Sequence, residues 1–272
     1  MADEKSYAIP VTGAVLSGGK KTLVLAILGA LLLIAGSMYA VDWMILIFRI
    51  EGVYYAAIMK AFMSFMCCVL AILIGRNHLD PRDRKLLVAA FLCMVPIDIT
   101  MSVIGVSKTL TFSGSLFMSA GVLSIIAHAI LAVRHGRGFP YFRKSWKQVH
   151  GPQTLLQKYW ILLVILATAV AAMALMWEDI VRINHQVIAP IYTAFFCFNT
   201  WVAWETVRYR LYPRPNAFLA ALAMTGWYVT EIVGEISNIR IGPASDYAFA
   251  MVWVFYGSNV VLVALSGYRW RS

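Results

Sequence analysis

The feature that most constrains the fold of this chain is a series of apolar blocks, each about 20 residues long and bounded by a short polar segment. A helix of about 20 residues spans the roughly 30 Å of hydrocarbon in a bilayer. Hydrophobic residues make up 61% and charged residues 13% of the 272 residues. Soluble domains average roughly 45–50% apolar and about 25% charged residues. The sequence therefore predicts a membrane protein rather than a soluble one.

The apolar blocks predict helices rather than strands. Strands of a membrane barrel alternate apolar and polar residues, whereas these blocks are apolar all round. We therefore expect an all-α, polytopic transmembrane helix bundle with about eight spans. The predicted helices cover residues 22–38, 53–75, 86–106, 112–133, 159–176, 187–207, 217–236 and 247–267.

The polar segments predict a simple domain organisation. Residues 1–21 lack the apolar core of a signal peptide and are expected to form a cytoplasmic N-terminal segment. Residues 22–272 are expected to form a single transmembrane bundle. Its longest connection, residues 134–158, joins two groups of four helices on the cytoplasmic side.

The placement of basic residues predicts the orientation. A formal charge of +10 is also typical of nucleic-acid-binding proteins, but of the 23 Lys and Arg residues all except five fall on the side of the two termini. The five others are Arg49, Lys108, Arg182, Arg240 and, inside a predicted helix, Lys60. The positive-inside rule places both termini in the cytoplasm. We expect the basic side to contact anionic lipid head groups, with no nucleic-acid partner, and we favour a bacterial inner membrane over the endoplasmic reticulum.

The sequence gives no sign of a metal or cofactor. Cys67, Cys68, Cys93 and Cys197 lie within predicted spans without the spacing of a zinc site or disulfide framework, so we expect small apolar fillers. No two histidines share ligand spacing on one helix, and a second buried histidine for a haem is not indicated. A retinal Schiff base needs a lysine in the last helix, and residues 247–267 contain none.

A few ionisable residues fall inside predicted spans, where an unpaired charge is costly and marks a functional site by default. Lys60, Asp98 and Glu231 lie at comparable depth, and Glu235 lies one turn further out. Asp42 falls near the outer surface, where water can solvate it. Three buried acids and one base leave a surplus charge that favours a shared polar cavity, although an ion pair that only joins helices is the alternative.

Polar neighbours of these charges extend the candidate site. Ser64 lies one turn from the buried lysine, and Tyr228 lies three residues before the helix-seven acid. Tyr256 and Asn259 place a hydroxyl and an amide within the last helix. His128, near the inner end of helix four, fits either a packing role or a catalytic or head-group role.

This arrangement resembles the YhhN-like family of eight-helix membrane proteins, whose characterised members are lysoplasmalogenases. The resemblance runs from helix two to the end of the chain, through the family patterns KPL, GD, F-G-F followed by an aromatic-flanked H, SD and YYxAQ. The similar residues here are Lys60-Ala61-Phe62, Ile97-Asp98, Phe112 with Gly114, Phe117 and His128, Thr230-Glu231, and Phe255-Tyr256-Gly257-Ser258-Asn259. The chain departs from the family at Ala61 for proline, Glu231 for aspartate and Asn259 for glutamine.

The resemblance implies hydrolysis of the vinyl-ether bond of a lysolipid to a fatty aldehyde and a glycerophospho head group. In that function Asp98 and Glu231 supply the acid and the base. The residues expected to bind substrate are Lys60, Tyr256, Asn259, Glu235, Tyr228 and His128. Two other hypotheses fit the same charges: a non-catalytic protein that binds or transports a lipid or amphiphile, and a structural subunit of a membrane complex.

Overall fold

The computed structural model of the chain describes residues 9, 11–48, 55–106, 114–137, 154–182, 184–240 and 246–270. Within these residues the protein is all-helical, as predicted, and no strand longer than an isolated bridge between His78 and Tyr268 occurs. The helices are α1 (Gly18–Phe48), α2 (Tyr55–Leu73), α3 (Pro81–Val106), α4 (Gly114–Gly136), α5 (Leu155–Arg182), α6 (Ile188–Arg208), α7 (Arg214–Arg240) and α8 (Asp246–Leu265).

Several helices are longer than predicted. Helix α1 begins at Gly18 and continues to Phe48, ten residues beyond the predicted end at residue 38. The predicted end of α1 was set by apolar content. The helical backbone hydrogen bonds continue past it, through a turn that carries polar side chains. Residues 1–8 of the predicted N-terminal segment and residues 138–153 of the predicted long connection lie outside the described residues.

Six of the helices form a closed ring. Going around it, α2 packs on α3, α3 on α4, α4 on α6, α6 on α7, α7 on α8, and α8 returns to α2. The two other helices lie outside the ring, with α1 against α2 and α8 and with α5 against α6 and α7. The core between the helices is made of buried apolar residues such as Cys67, Phe91, Met94, Ala223 and Val263.

The outer surface of the bundle is strongly apolar. Three helices of the described chain are long and apolar enough to cross a membrane, over Gly18–Met44, Ser119–Gly136 and Leu155–Arg182. Large aliphatic side chains on α1 are turned outward, for example Leu32 and Leu33, which are 74% and 78% exposed. Such a surface is typical of contact with lipid rather than with water.

The chain before α1 forms a short strap under one end of the bundle. This N-terminal strap, residues 11–17, donates backbone hydrogen bonds to the α2–α3 connection and to the C-terminal residues. The donors Thr12, Ala14 and Leu16 bond the carbonyls of Leu79, Arg76 and Arg269 at 2.9, 2.7 and 2.9 Å. The side-chain amide of Asn77 donates in return to two strap carbonyls at 3.1 Å each. The strap therefore joins the two ends of the described chain.

Gly13 provides a test of the strap. A Cβ atom at this position would lie 2.0 Å from the carbonyl oxygen of His78. Because backbone atoms must shift to relieve that overlap, we expect Gly13→Ala to lower the free energy of unfolding by about 2 kcal/mol. Gly19→Ala is the control, since a Cβ there meets no atom within 4 Å. Thermal unfolding in detergent, followed by tryptophan fluorescence, measures both; equal midpoints would contradict the packing of the strap.

Candidate active site

Asp98 is the centre of a buried hydrogen-bond network. It lies on α3 and is only 2% exposed. The hydroxyl of Tyr256 on α8 donates to the carboxylate, at 2.8 Å from Oδ1 and 3.0 Å from Oδ2. The hydroxyl of Ser64 on α2 donates to Oδ2. Three helices therefore meet at one carboxyl group, and the sequence-predicted residues Asp98 and Tyr256 are brought together.

Glu231, the second predicted carboxyl, is on α7 beside the same tyrosine. It is half-buried and interacts electrostatically with Tyr256. Tyr256 thus contacts Asp98 directly and also interacts with Glu231.

The local sequence of α3 leaves polar atoms near Asp98 without a helical or side-chain hydrogen bond. Pro96 lies inside the helix, and because proline has no N–H, the carbonyl one turn earlier lacks its helical hydrogen bond. Ser102, one turn after Asp98, is 5% exposed, and its hydroxyl has no hydrogen-bond partner within the described residues. Buried hydroxyls are normally satisfied, so this one can still form a hydrogen bond with a water molecule or a ligand.

Lys60 is fully buried, and its charge is balanced by an acid from α1. Its Nζ lies 3.3 Å from Oδ2 of Asp42, whose side chain is 13% exposed. Asp42 was expected to be solvated near the outer surface; instead its carboxylate pairs with Lys60, because α1 continues past residue 38 and keeps Asp42 beside α2. Since Lys60 is one turn before Ser64, the ion pair lies next to the Asp98 network.

The described hydrogen bonds of the other predicted substrate-binding residues lie outside the Asp98 network. Asn259 is buried on α8, with its amide nitrogen 3.5 Å from the hydroxyl of Thr230. Tyr228 is turned toward α5, where its hydroxyl lies 2.7 Å from that of Thr168. The side chain of Glu235 lies outside the described residues.

His128 is held by an amide that the sequence analysis did not single out. The side chain of Asn199 on α6 donates to Nδ1 of His128 at 3.1 Å, and its oxygen lies 3.1 Å from Nδ1 of His135. Both histidines are buried, so the expectation that only one histidine is buried is wrong. In the sequence His135 stands beside arginines at the end of an apolar block, as a residue at the level of the lipid head groups would.

An aromatic side chain separates His128 from the Asp98 network. The ring of Trp227 packs edge-to-face against Tyr256, with centroids 5.3 Å apart, and against His128 at 4.7 Å. Edge-to-face packing of this kind stabilises the positions of both rings. The ring of Trp227 therefore lies between His128 and Tyr256.

A second polar cluster, also missed in the sequence, lies at the strap end of the bundle. Arg134 on α4 is completely buried and makes two hydrogen bonds to Asp83 on α3, at 3.0 and 2.9 Å. It also donates to the hydroxyl of Ser266 at 2.8 Å. Arg137 contacts both Asp80 and Asp83. The signal for this cluster was a pair of acids and a pair of arginines, each three residues apart.

Asp80, Asp83, Arg134 and Arg137 together form what we call the inner ion cluster. It differs from the expectation that the basic residues face lipid head groups, because Arg134 pairs with an acid inside the protein. The hydroxyl of Tyr212 donates to the carbonyl of Arg134. Burial, followed by the nearby carboxylate of Asp83, raises the pKa of Tyr212 well above its usual value. The phenol therefore remains protonated and keeps its role as a donor.

Comparisons with models of known protein families, with curated proteins and with solved structures find no match for this chain. The resemblance to the YhhN-like family therefore stays a prediction. Of its motif residues, Phe112 and the side chain of Phe117 lie outside the described residues. Among the residues whose positions are described, no group of three or more His, Cys, Asp or Glu side chains is arranged to hold a metal ion.

The inner ion cluster predicts a large effect of removing one partner. Replacing Arg134 by glutamine leaves Asp83 with less compensation in a buried position, which destabilises proteins by about 3–5 kcal/mol. Arg182→Gln is the control, because that arginine is 68% exposed in an i, i+3 pair and its loss changes stability by less than about 1 kcal/mol. Thermal unfolding in detergent measures the difference; similar small effects in both variants would contradict the buried pairing.

Proposed function

We propose that the chain is a multi-pass membrane hydrolase, with eight spans and both termini in the cytoplasm, that cleaves the vinyl-ether bond of a lysolipid. The observation that carries the proposal is Tyr256, which donates to Asp98 and interacts with Glu231. One carboxyl group bonded to this hydroxyl and a second within its electrostatic reach would provide the proton donor and the charge stabiliser that this reaction requires. The apolar exterior gives a lipid substrate direct access from the bilayer.

The reaction makes distinct demands on the two acids. A proton adds to the vinyl carbon remote from the ether oxygen, which leaves an oxocarbenium ion at the other carbon. Water then adds to that carbon and loses a proton, which gives a hemiacetal. The hemiacetal breaks into an aldehyde and the free alcohol of the head group. One carboxyl must therefore deliver a proton while the other stabilises positive charge.

The geometry favours one assignment of these roles. Hydrogen bonds from Tyr256 and Ser64 fix both oxygens of Asp98, so this group is preorganised to stabilise the cation. Glu231 is the more exposed of the two acids, so a substrate can approach its proton more easily. We assign proton donation to Glu231 and cation stabilisation to Asp98.

The remaining polar residues fit the binding of the head group. Lys60 is the cation nearest the network and would bind the substrate phosphate in exchange for part of its contact with Asp42. The hydroxyl of Ser102, which bonds no described residue, and the amide of Asn259 can hold water or the glycerol. His128 and Tyr228 have packing roles, because Asn199 and Thr168 hold their side chains by hydrogen bonds.

Removing either carboxyl tests the proposed chemistry. We expect Asp98→Asn and Glu231→Gln each to lower kcat for aldehyde release from a vinyl-ether lysolipid by at least about 100-fold, the usual effect of losing an electrostatic stabiliser or a general acid. Asp179→Asn is the matched control, because this acid pairs with Arg182 near the end of α5 and is expected to leave turnover unchanged.

Three outcomes would contradict the hydrolase, and two of them would favour an alternative function. Retained turnover in both carboxyl variants would refute the catalytic assignment. Binding of lysolipid without its consumption by the unmodified protein would favour a binding or transport protein. An effect of the variants on assembly with other membrane proteins alone would favour a structural subunit.

The proposed orientation makes a separate prediction. Gln186 in the α5–α6 connection and Arg214 at the start of α7 are both exposed, on opposite sides in the proposed topology. Gln186→Cys and Arg214→Cys are introduced separately after the four native cysteines are replaced by alanine. In intact cells we expect a membrane-impermeant maleimide to label the cysteine at 186 and to reach the one at 214 only after lysis. Labelling of both in intact cells would contradict the topology.

A further inference from the structure

A groove of about 590 Å³ lies between α4 and α6, away from the Asp98 network. Its volume is within the range of about 300–1,000 Å³ found for small-ligand sites. On α4 it is lined by small residues at helical spacing, Ala129, Ala132 and Gly136, and on α6 by the rings of Phe195 and Phe198. The small side chains leave space that the two bulky rings do not fill, which explains why neighbouring helices are separated by a groove here.

One end of this groove carries positive charge. Arg82 and Arg137 are the charged residues in its lining. Arg137 is directed at Asp80 and Asp83, so its charge is compensated within the protein. The side chain of Arg82 is exposed and forms no ion pair with any described residue. A guanidinium group is therefore left for an anion at the mouth of an apolar groove.

The charged mouth and the apolar floor lie at the depths of a lipid head group and its chain. The part of α4 that is long and apolar enough to span a membrane ends at Gly136, which is next to the arginines. From Gly136 to Ala129 the groove extends about 10 Å along α4, at 1.5 Å per residue. In the proposed orientation the apolar floor then faces the acyl region of the cytoplasmic leaflet.

We propose that this groove binds one acyl chain of an anionic phospholipid from the cytoplasmic leaflet, with the lipid phosphate on Arg82. Charge complementarity identifies the occupant, because an uncompensated cation prefers a lipid whose phosphate is not balanced by its own ammonium group. Guanidinium groups also match phosphate oxygens in geometry. The inference rests on the proposed membrane placement and not on hydrolase activity, since the groove shares no residue with the Asp98 network.

Lipid retention by the purified full-length protein tests this inference. In an uncharged detergent, native mass spectrometry compares dioleoyl phosphatidylglycerol with dioleoyl phosphatidylcholine. We expect about fivefold preference for the anionic lipid, the effect of one basic residue at a membrane surface. Arg82→Gln should remove the preference. Lys85→Gln, which changes an exposed cation three residues further along α3 and outside the groove, should retain it.

Two further arms separate a lipid from a free anion and a groove from a bare charge. Glycerol phosphate, which has the head group without chains, should fail to displace the anionic lipid at equal concentration. Ala129→Phe should reduce retention of both lipids, because its ring fills the groove. The inference is overturned if the preference survives Arg82→Gln, is lost equally in Lys85→Gln, or is abolished by glycerol phosphate. Absence of aldehyde release in the same preparations would count against the hydrolase alone.

Discussion

The pairing of the buried charges Asp98, Lys60 and Arg134 with groups from other helices is the constraint on which the rest of this structure depends. A charge inside hydrocarbon is tolerated when it is paired or hydrated, and apolar packing alone discriminates weakly between helices surrounded by lipid. Asp98 therefore joins α3 to α2 and α8, Lys60 joins α2 to α1, and Arg134 joins α4 to α3. These few polar contacts specify which helices become neighbours, and the apolar core fills the space between them.

The two polar regions have different consequences. The network around Asp98 has Ser102 one turn away, and the buried hydroxyl of this serine bonds no described residue, so a substrate or water can form a hydrogen bond there. The inner ion cluster is more completely satisfied, because Arg134 bonds an acid, a hydroxyl and a carbonyl. We therefore assign chemistry to the first region and mechanical support to the second. The N-terminal strap lies at the supported end, where it joins the α2–α3 connection to the C-terminal residues.

The helices and part of the site could be predicted from the sequence, because both follow from the pattern of apolar and charged residues along the chain. Long apolar blocks must be helical in lipid because every backbone polar group needs an internal partner, and an intramembrane acid such as Asp98 needs a donor such as Tyr256. The partner of Lys60 was not predicted, since the apolar block ended before Asp42 while the helix did not. The pairing of Asp83 with Arg134 joins residues 51 positions apart and depends on the packing of α3 against α4. Asn199 was not singled out in the sequence, because only the packing of α6 on α4 places its amide between two histidines.

The most direct test of this account is a double-mutant cycle on the free energy of unfolding, with Tyr256→Phe, Asp98→Asn and the double variant in detergent. If the tyrosine and the aspartate meet inside the bundle, the two substitutions should be coupled by about 1 kcal/mol, within the range measured for hydrogen bonds between membrane helices. Changes that add to within about 0.3 kcal/mol would show that the two side chains act independently, and would contradict a shared polar centre among the helices.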